Sequence, residues 1–176
     1  MSYDLQFSDN PHMIRRMHAN NYKKSFLLWI HQWQHANIPI DLNLPWEKYP
    51  FKAESRKDIP DEPGVYAFCI EPNLMPNLKP CYLVYFGEAG DGKSSNTLRR
   101  RFMDYVNGSC NHPEDRPKIY TTLNLFREYI SFWCVPIDKN KFSPIAVEDE
   151  LLRIFIPPDN PELPADVSAI AKSIYA

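Results

Sequence analysis

GVYAFCI (64–70) and CYLVYFG (81–87) are the two stretches whose reading decides the fold. Each is a short apolar run, rich in β-branched and aromatic residues and bounded by proline or glycine, so each reads as a strand. EPNLMPNLKP (71–80) lies between them with three prolines and turns the chain back, giving an antiparallel hairpin with an enlarged tip. Downstream, polar residues 88–95 lead into SNTLRRRFMDYV (95–106), a helix with Ser95 or Asn96 as its expected N-cap. After a polar loop, REYISFWCVPI (127–137) is a third strand. SPIAVEDELLRIFI (143–156) is a second helix, with Ser143 as N-cap, Pro144 at its first position, and PPDN (157–160) as its stop. The expected class is α+β: a small central antiparallel three-stranded sheet flanked by helices, in the order strand, strand, helix, strand, helix.

Upstream, Phe26, Trp29, Ile30 and Trp33 fall at helical spacing in NYKKSFLLWIHQWQHAN (21–37), which predicts one amphipathic helix as an N-terminal extension. Residues 38–63 carry five prolines and read as an extended connector. The expected division is therefore an arm over 1–59, serving dimerisation or target reading, and a catalytic domain over 60–176.

The chain has 176 residues, 44% of them apolar, enough for one sizeable core. Twenty basic residues against 22 acidic ones give a formal charge of −2, so nucleic acid or an anionic surface must be met by a local patch. No apolar run approaches ~18 residues and the N-terminus lacks a leader pattern, so the expected location is the cytoplasm, with no membrane partner. Cys69, Cys81, Cys110 and Cys134 lack regular spacing and read as thiols. A zinc set of Cys69, Cys81, Cys110 and His112 can be written down, but it contains no CxxC pair.

On a helical wheel, residues 143–156 place Ile145, Leu151, Leu152, Phe155 and Ile156 on one apolar face with Glu148 near its centre. Asp149, Glu150 and Arg153 fall on the opposite face. An inward carboxylate costs several kcal/mol unless it meets a cation or a metal. In the first helix Leu98, Phe102, Tyr105 and Val106 form the buried face, Arg101 lies at its edge, and Arg100 points to solvent. Taken singly, an inward Glu reads as a structural ion pair and an RRR run as a solvated face.

Taken together, these residues resemble the GIY-YIG nuclease family, especially the N-terminal incision domain of the bacterial excision-repair nuclease, and GIY-YIG restriction or homing endonucleases. Gly64-Val65-Tyr66 stands at the GIY position and Tyr85-Phe86-Gly87 at the YIG position. Thr97-Leu98-Arg99-Arg100-Arg101-Phe102 matches the N-L-K-K-R-V pattern, with Tyr105 four residues beyond the arginine. Glu148, Leu151, Leu152, Arg153, Pro157 and Asn160 fall in register with E-x-x-L-[IL]-[KR] followed by P-x-x-N. The hairpin tip is about twice the family's usual length, extra residues precede the arginine helix, and Glu88 stands where a lysine often follows the YIG glycine.

The resemblance implies a metal-dependent endonuclease that hydrolyses phosphodiester bonds, with DNA the expected substrate. Glu148 would hold one Mg²⁺ (or Mn²⁺), and Arg101 would brace the scissile phosphate. Tyr66 would orient or deprotonate the attacking water, supported by Tyr85 and Tyr105. Asn160 would tie its loop to the site, while Lys93, Arg99 and Arg100 would contact the substrate. A restriction-type enzyme of this kind would act as a homodimer cutting both strands, whereas a repair or homing-type enzyme would nick and need a separate reader.

Two other readings compete. Gly87-Glu88-Ala89-Gly90-Asp91-Gly92-Lys93-Ser94 fits GxxxxGK[ST] after a strand and before a helix, the context of a nucleotide-binding P-loop, and FWCVPID ending at Asp138 passes for a Walker B strand. A P-loop sheet is parallel, however, and too few elements follow Ser94 for its crossovers. The third reading is a catalytically inactive nucleic-acid-binding module, with Glu88 marking decay of the site.

Overall fold

The computed structural model describes residues 19–20, 22–35, 45–75, 77–90, 95–108 and 117–175. The two hairpin strands are β2 (Gly64–Ile70) and β3 (Tyr82–Ala89). They pair antiparallel with Tyr66 opposite Gly87 and Phe68 opposite Tyr85, and a bulge follows between Phe68 and Cys69. The third expected strand, β4 (Ile130–Pro136), pairs antiparallel on the other side of β2, with Tyr66 opposite Cys134.

The sheet nevertheless has four strands, not three, in the order β1-β4-β2-β3. The extra strand, β1 (Glu47–Pro50), comes from the proline-rich run read as a connector and pairs antiparallel with Ser131–Cys134. Three of its four residues are exposed. Proline, charge and shortness are how an edge strand is protected against further pairing, and they erase the alternating pattern that would reveal it.

Every residue of β2 is buried because both faces of the sheet are covered. On one face Tyr66, Phe68, Phe132 and Ile130 pack against Leu98, Phe102 and Tyr105 of α2 (Leu98–Val106) and Ile119 and Leu123 of α3 (Pro117–Leu125). On the other, Val65, Ala67, Phe86 and Val135 pack against Val147, Leu151 and Leu152 of α4 (Pro144–Phe155). Helices α3 and α5 (Ala165–Tyr175) lie outside the expected elements. The buried positions Ile119, Thr122 and Leu123 of α3 do follow helical spacing, but over only nine residues among threonines and an asparagine.

The cap of α2 is Thr97, not the expected Ser95 or Asn96; its hydroxyl accepts from Arg100 N–H at 3.2 Å. The remaining N-terminal amides of α2 are met from below: Leu98 N–H donates to Glu62 C=O and Arg99 N–H to Pro60 C=O. Among the described residues of the expected helix over 21–37, Ile30–His35 form α1 and residues 23–29 are non-helical; residues 21, 36 and 37 lie outside the described residues. Seven helical residues span only about 10 Å. The open strap instead reaches separate partners: Lys24 joins Thr122 and Asp159, Phe26 meets Tyr82, and Trp29 packs by Ile156 and Val167. No helix among the described residues is long and apolar enough to cross a membrane.

Candidate active site

The β2–β3 register brings the tyrosines together. With Tyr66 directly across from Gly87, the tyrosine ring lies over a position that has no side chain: a Cβ there would sit 2.3 Å from Cζ and 2.4 Å from the hydroxyl of Tyr66. Tyr105, one turn beyond Arg101 on α2, approaches from above. The hydroxyls of Tyr66 and Tyr105 are 3.3 Å apart, and Tyr105 donates to the Tyr85 hydroxyl at 3.4 Å. All three side chains are buried.

Burial raises the Tyr66 pKa well above its ordinary value; Tyr105 and Tyr85 push it the same way, and the charge of Arg101 opposes them. The neutral phenol is therefore the form the fold holds. Of the two roles implied by the resemblance, orienting by hydrogen bond suits this environment and deprotonating does not.

Arg101 is half-buried at the edge of α2, with Nη2 at 3.9 Å from Glu88 Oε1, a long contact between side chains each about one-fifth exposed. Glu88, on β3 beside Gly87, thus faces the arginine from the position where the family often has lysine. Arg100 is exposed, as its wheel position requires. Arg99 is occupied elsewhere: its Nε donates to Ile59 C=O at 2.9 Å and its Nη1 lies 3.3 Å from Asp61, tying α2 to the preceding loop. Lys93 lies outside the described residues, as do Asp91, Gly92 and Ser94 of the P-loop-like text.

Glu148 sits on α4, whose buried face differs from the expected one. Leu151, Leu152 and Ile156 are buried as expected and Pro144, Val147 and Ile154 join them, whereas Ile145 and Phe155 are exposed. The rotation is decided by packing: Val147 and Leu151 meet the sheet, and Phe155 instead lies against Phe86 at its rim, 5.7 Å between ring centres. Glu148 moves from the centre of the buried face to its border, where it is half-buried. There it lines an open cleft of about 640 Å³ together with Tyr85, Asp149, Asn160 and Glu162. Asp149, expected on the solvent face, shares this cleft, and Glu162 was not foreseen. Glu150, expected as a solvated charge on the opposite face, is half-buried and pairs with Arg153, which also reaches Asp166 of α5 at 3.1 Å.

Asn160 closes the open edge of β3. Its side-chain oxygen accepts from Phe86 N–H at 2.9 Å and its amide donates to Phe86 C=O at 2.9 Å, while Asp159 N–H donates to Val84 C=O at 3.0 Å. The loop after α4 thereby substitutes for a neighbouring strand. It also carries the buried Asp159, bonded to Lys24 at 2.6 Å and to Thr122. No sequence pattern marks the Lys24–Asp159–Thr122 group, because its members come from three distant segments.

Tyr85 is common to both halves of the site: its hydroxyl belongs to the tyrosine group, and the residue also lines the cleft of Glu148 at the open edge of β3. The cleft's carboxylates are oxygen donors open to water, the environment that suits a hard divalent cation. No family model, no curated protein and no solved structure matches the chain.

Proposed function

We propose that the chain is a metal-dependent endonuclease that hydrolyses phosphodiester bonds in nucleic acid, with DNA as the substrate. The observation that carries this reading is the position of Tyr85, shared between the hydrogen-bonded tyrosines and the carboxylate cleft of Glu148. Glu148 would hold one Mg²⁺ or Mn²⁺, in the cleft that Asp149 and Glu162 also line. Such an ion supplies Lewis-acid stabilisation of charge on phosphoryl oxygens and acidifies water. The neutral phenols orient water by hydrogen bonding. Arg101 exchanges its long contact with Glu88 for a phosphate, a stronger charge-assisted partner. Arg100 adds a solvent-exposed cation for the backbone, and Asn160 holds Phe86 and hence Tyr85 in place.

The antiparallel pairing of β3 supports this reading over the P-loop, whose strand belongs to a parallel sheet. The Glu88–Arg101 contact favours one alternative, a module that binds nucleic acid without cutting it. Purified protein incubated with supercoiled plasmid, single-stranded DNA or RNA, in Mg²⁺ or in chelator and without nucleotide, separates these readings. The proposal expects Mg²⁺-dependent nicking or linearisation of plasmid. Retention of intact plasmid in Mg²⁺, with gel-shift binding alone, supports the binding module. ATP binding that vanishes in Lys93→Ala, with no cleavage, supports the P-loop.

A further inference from the structure

At the tip end of the hairpin, away from Gly87, a second group of metal-ligating side chains converges. Cys69 is buried on β2, Glu71 follows the end of that strand, and Cys81 is exposed just before β3. One ligand atom from each lies within 4.8 Å of the others, and Cys81 Sγ is 3.9 Å from Glu71 Oε1. The pairing of Ile70 with Tyr82 explains the convergence, since it sets Glu71 opposite Cys81 and leaves Cys69 diagonal to it on the same face.

The carboxylate is held from behind by the two other strands. Trp133 of β4 donates its indole N–H to Glu71 Oε1 at 2.7 Å, and Lys48 of β1 donates to Oε2 at 2.9 Å. Residues of β1, β2 and β4, with Glu71 and Cys81 from the two ends of the hairpin tip, thus converge on one small group.

We propose that Cys69, Glu71 and Cys81 bind a zinc-class divalent cation through two thiolates and one carboxylate, with water in the fourth position. A tetrahedral ion with Zn–S near 2.3 Å and Zn–O near 2.0 Å requires S···O separations of about 3.5 Å and S···S of about 3.8 Å. The observed separations, within 4.8 Å, need closing by at most about 1.3 Å. Cys81, exposed at the strand end, can supply that by side-chain rotation. The charges also suit: two thiolates and a carboxylate, offset by the Lys48 ammonium, leave a deficit that a divalent ion neutralises. Thiolate donors select Zn²⁺ over Mg²⁺, so this site is chemically distinct from the all-oxygen cleft at Glu148. The indole and ammonium that orient Glu71 are the outer partners a ligating carboxylate ordinarily has. The ion would clasp the base of the long tip, residues 72–80, and supply order that its three prolines and exposed Leu74, Met75 and Leu78 do not supply by packing. The sequence-derived set shares Cys69 and Cys81 with this one, whereas Cys110 and His112 lie outside the described residues.

The test is Co²⁺ titration of the full chain, stripped with chelator and kept reduced, followed by absorption in the near-ultraviolet. The wild type should take up one equivalent with an intense thiolate-to-cobalt charge-transfer band that Zn²⁺ abolishes and Mg²⁺ does not. Cys81→Ser, at an exposed position that leaves the core intact, should lose most of the band. Trp133→Phe should weaken binding by about 10–100-fold by freeing the carboxylate. Cys110→Ser and His112→Ala should leave the titration unchanged. The assignment is overturned if the wild type gives no such band, if Cys81→Ser keeps it in full, or if Cys110→Ser or His112→Ala removes it. None of these readouts depends on nuclease activity.

Discussion

Gly87→Ala probes the link between the strand register and the site. Gly87 is not among the glycines with positive φ, so alanine meets no backbone objection there. The obstacle is Tyr66, whose ring atoms would lie 2.3–2.8 Å from the new Cβ. Ordinary contact requires the ring to retreat by more than about 1 Å. It has little room to do so: Phe132 stacks on it at 5.4 Å between centres, and Phe68, Tyr105 and Tyr85 enclose it at 5.9–6.2 Å. Overpacking of this kind costs about 1–3 kcal/mol. For a chain of this size that lowers the melting temperature by about 2–12 °C. The Tyr66–Tyr105 hydroxyl contact, already 3.3 Å, would be lost with the shift, and cleavage should fall about 100-fold, as for a misplacement of about 1 Å. Calorimetry and plasmid nicking measure the two effects. Tyr66→Phe should not rescue Gly87→Ala, because Cζ remains; Tyr66→Leu should, with a coupling energy of about 1 kcal/mol or more in the double-mutant cycle. A Gly87→Ala protein that melts and cuts like the wild type, or a strictly additive cycle with Tyr66→Leu, refutes the reasoning.

Arg101→Ala should reduce turnover by about 10²–10³-fold through loss of a donor to the scissile phosphate. Arg100→Ala, at an exposed position, should weaken binding modestly and more at low salt; equal turnover losses for both would reduce the run to a basic patch. Asn160→Ala removes both side-chain partners of Phe86 and should destabilise by about 1–3 kcal/mol in urea unfolding, whereas an unchanged midpoint would show that the edge of β3 needs no cover. Because Tyr66 has a raised pKa in the fold, its contribution to stability is fully present below the unfolded value of about 10 and is lost as pH climbs past that value through the folded one. Absorbance at about 295 nm, where tyrosinate absorbs, should therefore show no Tyr66 titration before alkaline unfolding; a step below pH of about 9 that disappears in Tyr66→Phe would contradict the neutral phenol.

The sequence exposes what is locally encoded. β2, β3 and β4 are legible because their runs of valine, phenylalanine, tyrosine and isoleucine are buried on both faces. The start of α4 is legible because Ser143 and Pro144 are a cap and first-turn pair. The strap over 23–29 has helical spacing, but tertiary partners at Lys24, Phe26 and Trp29 override it. The buried face of α4 is legible at Leu151, Leu152 and Ile156 but not at its margins, for a related reason: a wheel counts apolar residues, while the sheet engages Val147 and Leu151 and leaves Ile145 and Phe155 at the rim. That rotation turns Asp149 toward the cleft with Glu148, while Glu162 reaches it from the loop after the helix, which carries no periodic signal. The tyrosine group, Arg101 and Asn160 were legible as motif positions, but only the structure reveals that Arg99 is spent on Ile59 and Asp61 and that Asn160 acts as a surrogate strand.

The most direct test of the account is Mg²⁺-dependent plasmid cleavage by Glu148→Gln and Glu150→Gln measured side by side with the wild type. Glu148 lines the cleft with Tyr85, whereas Glu150 pairs with Arg153 on another flank of the same helix. The account predicts that Glu148→Gln folds normally and loses about three orders of magnitude in rate or more, while Glu150→Gln cuts within about threefold of the wild type. Cleavage that survives in Glu148→Gln, or that is abolished in Glu150→Gln alone, would contradict it.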